Sequence, residues 1–217
     1  MIAKEKLNIL WSLEQTAEKY ADRVAVSDVN QELTWKELVK KAQVIGAELS
    51  EKVQPGNPVP VLLEKSSETL AVMLGIVYAG CFYVPVNPMN PAERLRKIME
   101  KLDPEVIISD EKGKEQLAAV GNGLENKEAL KTATGTELSE EQYSRLEQIQ
   151  GQWKETDVLY GIFTSGSTGT PKAIVVSHGA ASRFIRHFTE IFEITSADVI
   201  GNQAPFDFDV SVKDIYS

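Results

Sequence analysis

The 217-residue sequence contains few of the side chains that cross-link chains or hold metals, with one cysteine and two histidines. A single cysteine excludes an intrachain disulfide and an all-cysteine metal site. No apolar run reaches the roughly 20 residues of a transmembrane helix, and residues 1–15 lack the apolar segment of a secretory signal. Lysine and arginine (23) are outnumbered by aspartate and glutamate (32). We therefore expect a cytoplasmic protein with no metal site of its own and no nucleic-acid or membrane partner.

The remaining composition is typical of a soluble globular protein, with 42% hydrophobic and 25% charged residues. Short apolar runs alternate with helical patterns over residues 1–110, which predicts an α/β fold whose mostly parallel sheet is flanked by helices. Thr34 with Glu37 fits a capping box, and Asn90 before Pro91 fits a helix start. Cys81 lies among apolar neighbours and is predicted to be a core residue.

Changes in composition along the chain divide the sequence into three sections. Residues 1–110 form the first α/β section, and residues 111–150 are polar and acidic with several glycines. We interpret that second section as a connection across the surface, ending in a helix that Ser139 and Gln142 start as a capping box. Residues 151–217 carry the candidate chemistry.

The segment YGIFTSGSTGTPKAIVVSH, residues 160–178, has two short strand patterns around an unusual loop. The loop contains five hydroxyl residues, two glycines, a proline and one lysine. Glycines let successive backbone N–H groups point into one concavity, and a lysine adds a mobile charge suited to phosphate. The pattern predicts a nucleoside triphosphate site with Lys172 acting on the phosphates as the candidate catalytic residue. The candidate phosphate contacts are Thr164, Ser165, Gly166, Ser167, Thr168, Gly169, Thr170 and Lys172.

The spacing excludes a P-loop, which places G-x-x-x-x-G-K-[ST] directly before a helix. Here Gly166 and Gly169 are three residues apart, and Lys172 leads into the β-branched residues Ile-Val-Val. The phosphates would meet a strand–loop–strand nest. An ordinary glycine- and serine-rich hairpin loop is the alternative. His178, at the end of the second strand, would either face the nucleotide or serve as a capping or packing residue.

A second candidate site lies at Phe206-Asp207-Phe208-Asp209-Val210-Ser211-Val212. Apolar and polar residues alternate there, which predicts an extended stretch with Asp207 and Asp209 on one side. In the alternative interpretation Asp209 caps a helix, and Ser211 with Asp214 also fits a capping box.

Residues 164–172, TSGSTGTPK, resemble the core signature of the adenylate-forming (AMP-binding, acyl-CoA synthetase-like) superfamily. LTWKEL at residues 33–38 and YAGCFYVPVNPMNPAERL at residues 78–95 are similar to two further family segments. Ala173 and Asn87 depart from the family, which usually has glycine and an acidic residue there. The resemblance implies the N-terminal portion of the family's large subdomain, with the C-terminal lid domain absent. It also implies ATP and Mg²⁺, the metal being held mainly by residues beyond Ser217.

Phe208-Asp209-Val210-Ser211 matches the family's F-D-x-S segment. In amino-acid-activating members that aspartate binds the substrate's α-ammonium group, which implies this role for Asp209. Asp207 is the runner-up, because the Phe-Asp repeat permits a slip of two residues. Residues 202–216 resemble D-alanine–carrier-protein ligases more than nonribosomal peptide synthetase adenylation domains.

The resemblance implies a fragment of a ligase that converts an amino acid and ATP into aminoacyl-AMP and pyrophosphate. The aminoacyl group would then pass to the phosphopantetheine thiol of a carrier protein. The chain alone is expected to be inactive or nearly so. The alternatives are a fragment of an acyl- or aryl-CoA ligase and a non-catalytic nucleotide-binding or interaction module.

Overall fold

The structure is a computed structural model that describes residues 7–121, 123–124, 137–164 and 171–217. Its strands are Val24–Ser27 (β1), Glu32–Thr34 (β2), Pro58–Leu62 (β3), Phe82–Pro85 (β4), Ile108–Ser109 (β5), Val158–Thr164 (β6) and Lys172–Ser177 (β7). Its helices are Ile9–Lys19 (α1), Trp35–Ser50 (α2), Ser67–Tyr78 (α3), Ala92–Leu102 (α4), Glu111–Val120 (α5), Glu140–Gly151 (α6), His178–Ile191 (α7) and Val210–Tyr216 (α8).

The main sheet has five strands among the described residues, in the order β5-β3-β4-β6-β7. Its first four strands are parallel, and β7 runs antiparallel to β6 at one edge. β1 and β2 form a separate antiparallel pair. The mostly parallel sheet with flanking helices is the architecture that the alternation of strands and helices predicts.

Helix α3 lies at the centre of the larger core, because it is apolar on almost every face. It packs against α2 on one side and follows the buried strand β3. Cys81, just after this helix, is 2% exposed, and burial raises the pKa of its thiol to about 12. The prediction that Cys81 is a core residue is confirmed.

Local signals in the sequence locate two helix starts correctly and one incorrectly. The capping boxes at Thr34 and Ser139 both form, with reciprocal backbone and side-chain hydrogen bonds. The predicted cap at Asn90 is wrong, because α4 begins one residue later with Pro91 at the cap position and no side-chain capping bond. Asn90 instead closes a turn, since its N–H donates to the carbonyl oxygen of Asn87 at 3.0 Å.

The described part of the predicted connection over residues 111–150 contains two helices, α5 and α6. α5 is capped by Asp110 and buries Leu117 in a second, smaller core beside α4. This section therefore contributes to the packed interior as well as crossing the surface.

The crossing of α2 and α3 depends on two glycines in close contact. A Cβ atom at Gly46 would lie 2.5 Å from Cβ of Tyr78, and one at Gly75 would lie 2.5 Å from Cγ2 of Ile45. Since neither neighbour can move far in the core, Gly75→Ala is expected to lower the free energy of unfolding by about 1–3 kcal/mol. Urea denaturation measures this change.

Gly151→Ala is the matched control, because its added Cβ meets no atom within 4 Å. That variant is expected to be unchanged or more stable by up to about 1 kcal/mol. Equal stability of Gly75→Ala and the wild type would show that the two helices can separate at no cost.

Candidate functional site

The candidate site lies at the carboxyl edge of the sheet, where open α/β folds bind their ligands. β6 ends at Thr164, β7 begins at Lys172, and these two residues are paired across the antiparallel ladder. The two strands predicted on either side of the loop are thus confirmed, and Lys172 is exposed at its base. Residues 165–170, with six of the predicted phosphate contacts, lie outside the described residues, so their role stays a prediction.

Two cations from α4 lie at the two ends of this loop. Arg94 Nη2 is 3.4 Å from the carbonyl oxygen of Phe163, just before Thr164. Lys101 Nζ is 3.5 Å from the carbonyl oxygen of Pro171. In the sequence these two residues resemble ordinary polar positions of an amphipathic helix, and sequence reasoning missed them.

Asp207 lines a cleft of about 220 Å³ at the same edge of the sheet. The cleft lies between the ends of β3 and β4, the start of α3 and the segment 205–207. Burial raises the pKa of the Asp207 carboxyl, while a bond from its own backbone N–H and the charge of Arg94 act in the opposite direction. Arg94 therefore acts electrostatically on Asp207 and contacts the start of the predicted phosphate loop. The cleft is lined by Val61, Leu63, Glu64, Lys65, Thr69, Pro85, Val86, Asn87, Pro88, Met89, Lys112, Pro205, Phe206 and Asp207.

The prediction of an extended stretch at residues 206–212 is wrong. Residues 206–209 form a turn that leads directly into α8, and Asp209 has helical backbone angles at the cap position. Ser211 closes the turn, since its hydroxyl donates to the carbonyl oxygen of Phe208 at 2.7 Å. It lies inside the helix, so the capping box proposed for Ser211 and Asp214 does not form.

Asp209 nevertheless remains available to a ligand, because its carboxylate accepts no capping hydrogen bond from α8. Its side chain is exposed, and the charge of Asp209 adds to burial in raising the pKa of Tyr160 on β6. The two carboxylates therefore have different neighbours. Asp207 lies beside the cleft and near Arg94, whereas Asp209 lies near Tyr160.

Contacts among two buried tyrosines and the half-buried Tyr216 fix α8 against the sheet. The hydroxyls of Tyr83 and Tyr216 are 2.9 Å apart, and the ring of Tyr83 stacks on that of Tyr160 with centroids 5.9 Å apart. Tyr83 and Tyr160 are register partners on β4 and β6. Sequence reasoning missed this group, because strand register is not visible in the local pattern.

His178 belongs to the core. It is 3% exposed, its ring stacks on Trp153 at 6.4 Å, and its Nδ1 lies 3.4 Å from the backbone N–H of Ile9. Ser177 caps α7 by accepting from the N–H of Ala180. The structure thus agrees with the capping and packing interpretation of these two residues.

The buried imidazole makes stability depend on pH. Burial lowers the pKa of His178 from 6.5 to about 4, although the charge of Asp157 acts in the opposite direction. Between these values the unfolded chain binds a proton and the folded chain does not, so stability falls as the pH falls through this range. We expect a loss of about 2 kcal/mol in the free energy of unfolding between pH 7 and pH 5.

Urea denaturation at both pH values tests this, with His178→Asn as the variant because its amide oxygen can accept the bond that Nδ1 accepts. His187→Gln is the control, since His187 is exposed on α7. In His178→Asn the decrease in the free energy of unfolding between pH 7 and pH 5 should be smaller than in the wild type by about 2 kcal/mol. In His187→Gln the decrease should equal that of the wild type. The same pH effect in wild type and His178→Asn would contradict a neutral buried histidine.

Within the described part of the chain, no group of three or more histidine, cysteine, aspartate or glutamate side chains could hold a metal ion. Among the same residues, no helix is long and apolar enough to cross a membrane.

A model of the family described as "AMP-binding enzyme" matches residues 13–217. The chain belongs to this family, as the resemblance of residues 164–172 indicates.

Two curated relatives are similar over 94% of this chain. Tyrocidine synthase 1 of Brevibacillus parabrevis is 32% identical over 206 residues, which make up 18% of that protein. The D-alanine–D-alanyl carrier protein ligase of Staphylococcus epidermidis is 31% identical over 207 residues, which make up 39% of it. The chain thus spans less than half the length of these relatives.

The solved structure of VinN in complex with L-aspartate superposes with a TM-score of 0.80 at 21% identity. The match covers 96% of this chain and 59% of VinN. It confirms the predicted α/β fold with helices on a mostly parallel sheet.

Proposed function

We propose that the chain provides the phosphate loop and the amino-group site of a ligase that activates an amino acid with ATP. One observation carries the proposal: Arg94 contacts the carbonyl of Phe163 at the start of the loop and acts electrostatically on Asp207. Thr164 and Lys172, at the two ends of the predicted phosphate loop, lie at the same edge of the sheet as Asp207, which supports the proposal. A reaction between a nucleotide and an amino acid requires this proximity.

In the proposed reaction, a carboxylate oxygen of the amino acid attacks the α-phosphorus of ATP. A bond forms between that oxygen and the phosphorus, the bond to the bridging oxygen breaks, and pyrophosphate leaves. Lys172 and the backbone N–H groups of the loop would hold the β- and γ-phosphates and offset the charge that develops on the leaving group. Mg²⁺ bound with ATP would neutralise further phosphate charge.

Asp209 would hold the substrate's α-ammonium group by a charge-assisted hydrogen bond. Asp209 is favoured over Asp207 because its carboxylate makes no capping bond, whereas Asp207 already has a positive neighbour in Arg94. A carrier-protein thiol would then attack the aminoacyl carbonyl, form a thioester and release AMP.

D-alanine is the first substrate to test. Residues 202–216 resemble D-alanine-activating ligases, and one relative at 31% identity carries that name. Because the reaction consumes ATP, we place the proposed activity in the cytoplasm, with a phosphopantetheine-bearing carrier protein as partner.

The test compares acids with and without an amino group, using the intact gene product that contains this chain. Pyrophosphate release is measured with D-alanine, L-alanine, D-lactate and propionate, each with ATP and Mg²⁺. The proposal predicts release with an amino acid and little with the other two acids. Equal release with propionate in the presence of CoA would favour an acyl-CoA ligase instead. No release with any acid and no ATP binding by calorimetry would favour the non-catalytic module.

A further inference from the structure

We propose that Lys65, on the loop between β3 and α3, is a positioning residue that holds the segment 202–209 in place for the substrate. The inference rests on the proposed function, because it gives Lys65 a role in presenting the aspartate that binds the amino group. Lys65 itself need not contact the substrate.

The Lys65 side chain makes several contacts with one short segment. Its ammonium group donates to the carbonyl oxygens of Asn202 and Ala204, the latter at 3.0 Å. It also lies 5.6 Å from the centre of the Phe206 ring, within the range of a cation–π interaction. Asp214 on α8 adds an attractive charge. One cation thus fixes the chain on the approach to the turn.

The hydrogen bonds continue from this segment into the turn. The side-chain amide of Asn202 donates to the carbonyl oxygen of Ser211 at 3.2 Å. Ser211 donates in turn to the carbonyl oxygen of Phe208, which stands between Asp207 and Asp209. Lys65 is therefore connected to the backbone of both aspartates through two intermediate residues.

The start of α3, directly after Lys65, is held by hydrogen bonds. The next residues begin α3, where Ser66 is the cap and the N–H and hydroxyl of Ser67 donate to the Asp28 carboxylate at 2.7 and 2.8 Å. These bonds, together with those from the N–H groups of Asn30 and Gln31, lower the pKa of Asp28 to about 2. Lys65 thus extends from a rigid helix start.

The chain leading into this turn, residues 198–205, lacks the regular hydrogen bonding of a helix or a strand. Residues 198–205 are assigned to neither helix nor strand, and Val199 is 98% exposed. A segment of this kind must be ordered when substrate binds, and that ordering reduces affinity. The contacts of Lys65 with Asn202 and Ala204, here called the tether, would order the segment before substrate binds and so reduce this loss of affinity.

The test uses Lys65→Met, Lys65→Arg and Lys112→Met in the intact gene product. Lys112 is the matched control, because it lines the same cleft but its ammonium group pairs with Glu64 at 3.0 Å. Both methionine variants remove one positive charge from the cleft, and only Lys65→Met removes the tether. Two quantities are measured: the KM values for amino acid and ATP in pyrophosphate exchange, and amide hydrogen exchange of peptides covering residues 200–212.

We expect Lys65→Met to raise the amino-acid KM about tenfold, as for the loss of a hydrogen bond to a charged group. The KM for ATP should change by less than about twofold, and amides in residues 200–212 should exchange faster. Lys65→Arg should restore most of the affinity, since arginine can also donate to both carbonyls. Lys112→Met should change the amino-acid KM by less than about threefold, because it leaves the tether intact.

The proposal would be overturned if Lys65→Met had the same amino-acid KM and the same amide exchange in residues 200–212 as the wild type. So would an equal KM increase in Lys65→Met and Lys112→Met, which would assign the effect to charge rather than to the tether. If the wild-type protein shows no amino-acid-dependent activity, the proposed function itself fails. The hydrogen-exchange comparison then decides whether Lys65 orders the segment.

Discussion

Asp209→Asn is expected to lower kcat/KM for the amino acid by about 10²- to 10³-fold in pyrophosphate exchange. Asparagine keeps the size of the side chain and removes the negative charge, so the substrate ammonium loses its ionic partner. Asp209 is exposed in the free chain, and the proposed substrate would cover its carboxylate. Removing one partner of a buried hydrogen-bonded charge pair costs about 2–5 kcal/mol, and 1.4 kcal/mol corresponds to a tenfold change. The KM for ATP should be nearly unchanged, because Asp209 is assigned no phosphate contact.

Asp207→Asn is the matched control, two residues away on the same turn. Because the pKa of Asp207 is raised by burial and its charge already has Arg94 nearby, we expect this variant to lower kcat/KM by less than about tenfold. Asp209→Glu should recover part of the lost activity, since it restores the charge. A larger loss in Asp207→Asn than in Asp209→Asn would transfer the ammonium-binding role to Asp207.

Lys172→Met is expected to lower kcat/KM for ATP by about 10²-fold, with a small effect on the amino-acid KM. Loss of one donor to a developing oxyanion costs about 10²–10³ in rate in other enzymes. Lys172 is exposed at the base of the loop and pairs across the ladder with Thr164, so the substitution should not disturb the core. Steady-state exchange kinetics with each substrate varied in turn measure both constants.

Lys101→Met is the control for charge near the loop, because Lys101 contacts the backbone carbonyl of Pro171 at the end of the loop. It should lower kcat/KM for ATP by less than about tenfold. If Lys172→Met and Lys101→Met lowered kcat/KM for ATP by similar factors, the summed positive charge at this edge of the sheet would account for phosphate binding. Lys172 would then have no specific role.

Local signals in the sequence predict the elements around the site better than the site itself. Two capping boxes and the strands on either side of the phosphate loop depend on residues close together in the chain, and all of these form. The alternation in residues 206–212 was misleading, because a turn entering a helix can carry the same period-two pattern as a strand. The hydroxyl of Ser211 closes that turn, and a residue pattern does not show such a bond.

Contacts between distant parts of the chain account for what sequence reasoning missed. Arg94 lies 69 residues from Phe163 in the sequence, and Lys65 lies 137 residues from Asn202. In the sequence both are ordinary cations near helix starts. Their roles depend on the order of strands in the sheet, which brings the end of β3, the start of α4 and the turn before α8 to one edge.

Amino-acid-dependent ATP–pyrophosphate exchange by the intact gene product tests the central claim most directly. D-alanine, L-alanine and a panel of other amino acids are each offered with ATP, Mg²⁺ and labelled pyrophosphate. We predict exchange that requires an amino acid and that Asp209→Asn and Lys172→Met both reduce strongly. Label incorporation at the same rate without any amino acid, or none with every amino acid offered, would contradict an amino-acid-activating function.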